Sequence, residues 1–480
     1  MPDAPPWPSA PAVHAFDDDL GRIDAVATGE AIDAGELTTR EVLEATVARA
    51  RKVEPQLGAI ACERFDEVLA APAPERKRPG SLDALPTFIK DMVPVAGLPL
   101  TWGSVALHGG PPIKKSKGIA VDFDRIGMVT IGLSTMPEFG FTSSTEFPHT
   151  DPTRNPWNLE RSIGGSSGGA AALVAAGVVP IAHAADGGGS IRIPAACGGL
   201  VGLKPTRARL RPHPEEELMP VAVSVDGVVT RSVRDTARFY AEMERVRPNR
   251  KLPMIGEVTS PPARRLRIGA IADVPYDVEI DAPTAATFAA TEQLLTDLGH
   301  EVEETAAPFT EGDRDDFIFF FQFLSFLATR TARLSHGGHV TTADFTDYTQ
   351  GMANAFKKNP GRIVGVSRRL RRARARLHEV FGRYDVLLTP TLTHLPPPLG
   401  YLGAEVPYQE MLDRLAPWIA FPPIANVAGT PAITLPLGFD PETNLPVGSM
   451  LWADYGRDAT LLELALELEQ ARPWPGASVS

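Results

Sequence analysis

The sequence predicts an α/β fold: one domain in which a mixed, twisted and mostly buried sheet is sandwiched between helical layers. Three stretches lead to that class. RLRIGAIAD (265–273), a helix-period run over 282–298 closed by Gly299, and HEVEE (300–304) form a β-α-β unit, which implies parallel pairing. YDVLLTPT (384–391) carries the near-continuous apolar run of a strand buried on both faces. NVAGTPAITLPLG (426–438) and the segment leading into MLWADYG supply a strand pair, and RDATLLELALELEQA closes the chain as a helix.

The remaining elements follow in order. Residues 1–15 are rich in Pro and Ala and are expected to form a loose tail ahead of a domain spanning 16–475. N-terminal helices are expected over 20–55. The second opens on a capping box, Thr38 and Glu41, places Val42, Leu43, Thr46, Val47, Ala50 and Val53 on one face, and is expected to end at Pro55. Ala71 to Ser81 reads as an exposed connection into a core over 80–245, which begins with LPTFIKDMVPVAG, an apolar strand carrying Lys90 and Asp91. Within this core VTIGLSTMPEFGF is a short strand and a turn, 167–176 a helix, VVPIAHA a strand, and Asp186 to Ser190 a tight glycine loop. A further strand then leads into a helix from about Val233. Phe317 to Ala328 and the stretch from Ser367 are helices of an insertion, about 310–380, lying over the sheet.

The composition of the 480 residues, 43% hydrophobic and 22% charged, is that of a globular protein, and the net charge of −12 disfavours nucleic acid and anionic membrane surfaces. A small-molecule amide substrate is the expected partner, with no metal or organic cofactor and with a homodimer as the expected self-assembly. Arg368, Arg369, Arg371, Arg372, Arg374 and Arg376 are spread around their helix, which fits a salt-bridged face better than a nucleic-acid stripe. FIFFFQFLSFLA, broken by Gln322 and Ser325, is shorter than a membrane span. Two cysteines form no disulfide framework, and the first residues have neither the basic start nor the apolar core of an export signal, so the cytoplasm is the expected location. His336 to His339 (HGGH) has no companion ligands and reads as a surface loop.

The chemistry centres on Arg161 to Pro205, where Ser166 and Ser190 each sit among glycines and an apolar run joins the two clusters. Glycines let the chain turn sharply and let backbone N–H groups converge on one point, as acyl transfer requires. The apolar run argues against a flexible Gly/Ser linker. A nucleophile elbow, Gly164 to Gly168, would follow a strand, whereas the preceding ERSIGG is polar, and it would leave the second cluster without a role. His183 reads as a satisfied core histidine and Cys197 as a small buried thiol. Lys90 either snorkels to the surface or, buried, becomes a neutral amine able to accept a proton near pH 7; the serine clusters favour the second reading.

FIKDMVPVAG, TMPEFG, RNPWNLERSIGGSSGGAAALVAAG, ADGGGSIRIPAACGGLVGLKPT, YDVLLTPT and NVAGTPAITLPLG resemble, in order, the successive blocks of the amidase signature family, over nearly the whole chain. Within it the sequence is most similar to free-standing bacterial amidases and 6-aminohexanoate cyclic-dimer hydrolases. The resemblance implies that Ser190 is the nucleophile, that Ser166, after a cis peptide bond, bridges to the base Lys90, and that Gly187, Gly188 and Gly189 form the oxyanion hole. Ser167, Asp186 and Arg192 then fall at supporting positions. Met136, Phe139, Phe321 and Trp418 are the pocket candidates. An amidotransferase A-type glutaminase subunit usually has glutamine where Ile193 stands here, and a catalytically silent binding protein would have no need of the intact relay.

Overall fold

The computed structural model describes residues 7–213, 219–274, 277–335, 340–341 and 344–476. Its strands are β1 (Ile60–Glu63), β2 (Pro86–Lys90), β3 (Val129–Ser134), β4 (Ile181–Asp186), β5 (Val201–Lys204), β6 (Val225–Thr230), β7 (Arg267–Ala270), β8 (Glu301–Glu304), β9 (Val386–Pro390), β10 (Ala432–Asp440) and β11 (Leu445–Ala453). Eight of them form the main sheet in the order β4-β6-β5-β10-β11-β9-β7-β8. The expected β-α-β unit is there: β7 and β8 pair in parallel around the helix Ala282–Asp297, and β9 joins β7 in parallel. The rest of this sheet is antiparallel. The fold class is therefore the mixed α/β one expected, with the strands divided over two sheets. The second is small, ordered β1-β3-β2, with β2 and β3 parallel.

The small sheet positions the chemistry. Strand β2 lies across β4: Thr87 Oγ1 donates to the Ile181 carbonyl at 3.0 Å, and the Lys90 N–H reaches the His183 ring at 3.2 Å. All five β2 residues are buried, so a lysine at its end enters the interior rather than solvent. Behind β4 the helix Gly168–Ala175 is buried along its whole length, as expected of a glycine- and alanine-rich segment that other elements approach closely.

The helix Thr39–Leu57 has the full capping box, with Thr38 Oγ1 accepting from the Glu41 N–H at 3.1 Å and Glu41 accepting from the Thr38 N–H at 2.8 Å. It runs two residues past Pro55 and stops at Gly58, whose left-handed backbone (φ 57) ends the last turn. Residues 7–15 are docked, whereas a loose tail was expected. The Trp7 ring packs on Trp157 and Phe439 with centroids 5.4 and 4.9 Å apart, and Val13 and Ala15 donate backbone hydrogen bonds to the carbonyls of Pro156 and Ala176. An indole with a protein surface available has no reason to stay in water.

Among the described residues of the insertion are three helices, Glu311–Ser335, Asp347–Lys358 and Arg362–Phe381, which share a core with the helix Pro423–Ala428 and with Trp452. The arginines are largely paired: Arg369 with Asp316, Arg376 with Asp313, Arg371 with the Pro220 carbonyl, and Arg374 over the Tyr455 ring. Among the described residues no helix is long and apolar enough to cross a membrane. His336 and His339 lie outside the described residues.

Candidate active site

Lys90 is 1% exposed, and its Nζ lies 2.7 Å from Ser166 Oγ and 3.0 Å from Ser167 Oγ. Ser167 Oγ also accepts from the Ala185 N–H and donates to the Ala185 carbonyl, both at 3.2 Å. Its single proton is thus spent on the carbonyl, and the lysine must donate to it. This fixes the amine's orientation and leaves its lone pair for Ser166. The Gly165–Ser166 peptide is cis. Burial lowers Lys90 to about 7, against the pull of the Asp186 and Asp226 carboxylates. The amine is therefore substantially neutral at pH 7 and able to take a proton.

Ser190, 9% exposed, lines a cavity open at its mouth, together with Gly188, Gly140, Phe141 and Ser143. Among the described residues the Ser190 hydroxyl makes no hydrogen bond, and Gly140 is the residue that neighbours both it and Ser166. It lines the same cavity, and a Cβ placed on it would stand 3.0 Å from Ser166 Oγ. The glycine loop brings Ser190 onto this wall: Gly188 lies under Phe317, whose Cζ would be 2.9 Å from an added Cβ, and Gly187 lies beneath Phe321.

Among the described residues the N–H groups of Gly187, Gly188 and Ser190 have no protein acceptor. Gly189 departs from the expected set. Its N–H donates to Asp186 Oδ1 at 2.7 Å, so it closes the turn (φ 126) and is not available to an oxyanion. Asp186 accepts further from the Ile191 N–H, from Arg192 Nε and Nη2 at 3.0 Å each, and from Asn426 Nδ2 at 2.8 Å. Burial alone would raise this carboxyl, but the Arg192 guanidinium holds it well below the usual carboxylate range. Arg192 in turn donates to the Pro422 carbonyl and to Asn426 Oδ1. Asn426 is a residue the sequence reading missed; its signal is an amide heading the mostly apolar NVAGTP.

Asp186 and Arg192 thus stiffen the loop that carries Ser190. Substituting Arg192 with Met leaves a buried carboxylate without its cation and is expected to destabilise the fold by ~3–5 kcal/mol, read from urea unfolding at pH 7. A loss under ~1 kcal/mol would mean that the Asp186 charge has another counterpart.

Of the pocket candidates, Phe321 lines the cavity, and Phe317 and Ile318 join it from the same helix. Met136, Phe139 and Trp418 stand outside that lining. Met136 packs behind Gly140; Phe139, at φ 50, turns its ring toward Phe345; Trp418 is fully buried with its indole N–H donated to the His394 carbonyl. Phe319 and Phe320 pack into the insertion's core. Cys197 is buried and its thiol is pushed above its ordinary range by that burial.

The Amidase family model matches residues 41–462. The chain is 46% identical over 464 residues to the putative amidase AmiC of Mycobacterium tuberculosis, covering 96% of this chain and 97% of that one. It is 31% identical over 481 residues to the 6-aminohexanoate-cyclic-dimer hydrolase of Paenarthrobacter ureafaciens, covering 94% and 95%. Among solved structures, 6-aminohexanoate cyclic dimer hydrolase complexed with substrate aligns with a TM-score of 0.85 at 29% identity, over 95% of this chain and 98% of that one. A bacterial aryl acylamidase aligns with a TM-score of 0.83 at 26% identity, over the same shares.

Proposed function

We propose how this chain, which belongs to the amidase family, cleaves an amide: Ser190 attacks the carbonyl carbon while its proton passes through Ser166 to the neutral amine of Lys90. The observation that carries this reading is the buried lysine, whose Nζ touches Ser166 Oγ beside a cavity lined by Ser190. Attack breaks the carbonyl π bond and puts negative charge on oxygen, where the N–H groups of Gly187, Gly188 and Ser190 supply donors without reorganising. As the C–N bond breaks, the Lys90 ammonium returns its proton along the same hydroxyls to the leaving amine, leaving an ester on Ser190. Water then loses a proton to the relay and attacks the ester; the C–O bond to Ser190 breaks, the relay returns that proton to Ser190 Oγ, and the acid leaves. No histidine is needed as base.

Walls formed by Phe317, Phe321, Met352, Leu415 and Ile424 favour an amide with an apolar acyl group, the only charged lining residues among those described being Asp313 and Arg314. The test is hydrolysis of a panel of anilides. Hexanoyl and benzoyl anilides are expected to exceed the succinyl anilide in kcat/KM by ~10-fold or more, with a fluorophosphonate probe attached to Ser190 in the labelled peptide. A preference for the succinyl substrate would overturn the acyl assignment. Labelling at another residue would overturn the nucleophile, and hydrolysis of glutamine alone would favour the amidotransferase-type reading.

A further inference from the structure

The face of β4 that meets β2 carries a polar unit that the relay does not use. Register pairs His183 with Val228 and Ala185 with Asp226, so His183 and Asp226 project from the same face of the sheet. His183 Nε2 lies 3.0 Å from Asp226 Oδ1, and His213 Nε2 lies 3.0 Å from the same oxygen. On the other side of its ring, His183 Nδ1 accepts the Lys90 N–H at 3.2 Å. All of this is buried: His183 is 0% and Asp226 1% exposed.

Building on the assignment of Lys90 as the base, we infer that His183, Asp226 and His213 form a positioning unit for Lys90, in which the imidazole of His183 holds the lysine backbone and the Asp226 carboxylate is the counter-charge to its ammonium. The tautomer follows from the bonds. An Nδ1 that accepts from an N–H carries no proton, so the proton of the neutral ring sits on Nε2 and is donated to Asp226. A doubly protonated His183 would set N–H against N–H and release the end of β2.

Two buried carboxylates favour the charged form of Lys90 against its burial, Asp186 the more and Asp226 the less. Asp186 is matched by Arg192. Among the described residues Asp226 has only the two imidazoles as ion-pair partners, and its Oδ2 has no hydrogen-bond partner. The other charged groups nearby are engaged elsewhere. Asp91, next in the chain, turns to the N–H groups of Thr101 and Gly103, and Lys204 donates to the Pro205 carbonyl. Asp226, joined to the Lys90 backbone through His183, is thus a buried carboxylate that no guanidinium or ammonium pairs with among the described residues. Burial keeps His183 below its ordinary range, which preserves its acceptor nitrogen through neutral pH.

The experiment is the pH profile of kcat/KM for an anilide in wild type and Asp226→Asn. The wild-type profile falls on its acid side as Lys90 protonates. Removing a negative charge destabilises the ammonium, so the acid limb of Asp226→Asn moves toward lower pH by ~0.5–1 unit, while Asp226→Glu keeps the wild-type limb. An unmoved limb with a uniformly lower rate, or a limb moved toward higher pH, overturns the inference and leaves Lys90 as the base. A wild type with no acid limb near pH 7 instead overturns the Lys90 assignment. Should Asp226→Asn fail to fold, nitrogen-15 NMR of histidine-labelled wild type decides: His183 is expected neutral with its proton on Nε2 at pH 7–8, and an Nδ1–H or doubly protonated ring overturns the inference.

Discussion

Ser190→Ala will abolish amide hydrolysis, lowering kcat/KM by on the order of 10⁴-fold or more, because what remains without the nucleophile is a cavity and a set of N–H donors. The relay from Lys90 through Ser166 then ends on a methyl group, and the other hydroxyls on the cavity wall, those of Ser143 and Tyr348, have no base as a hydrogen-bond partner among the described residues. The fold is expected to survive. Among the described residues the Ser190 hydroxyl makes no hydrogen bond, so its removal orphans no buried group and stability moves by only about 0.5 kcal/mol. Steady-state kinetics on the purified variant, paired with its melting curve, test both halves. Turnover retained by a folded Ser190→Ala would sink the mechanism.

What could be read beforehand divides along a physical line. The capping box, the β-α-β unit and the buried strand 386–390 were legible because each is written in a single contiguous stretch. The lysine and two serines were legible for a different reason: a charged residue inside an apolar strand and serines among glycines both violate local rules, and such violations mark sites. The second sheet was not legible. Strand β1 is four residues of alternating half-burial, and its pairing with β3 joins segments some seventy residues apart, which no local pattern records. The pocket failed similarly. Proximity to a motif says nothing about which way a ring turns, and Phe139 packs on Phe141 and Phe345 without lining the cavity itself. Nor can a run of three glycines say which N–H is spent on Asp186. His183 was read correctly as a satisfied core residue, but what satisfies it lies on β6, more than forty residues onward.

Lys90→Met is expected to inactivate the enzyme and, at pH 6, to stabilise it. A lysine in the unfolded chain titrates near ~10.4, whereas burial brings Lys90 to about 7 in the folded protein. Between those values the unfolded state binds more protons, so the lysine's contribution to stability grows as pH rises through that window; below about 7 the penalty is complete, roughly 3–5 kcal/mol. Methionine fills a similar volume without titrating, but it deprives Ser166 and Ser167 of a partner, at about 1 kcal/mol each. The balance is a gain of ~1–3 kcal/mol at pH 6 that shrinks with rising pH and reverses toward pH 10, where only the lost hydrogen bonds count. Urea unfolding of both proteins across that range measures it. A Lys90→Met variant that is less stable than wild type at pH 6 would mean that burial does not penalise the ammonium, and with that the source of the amine's availability as a base near pH 7 would be gone. The free energy withheld from folding by enclosing an ammonium-forming group between β2 and Ser166 is the same free energy that leaves a proton acceptor available at neutral pH.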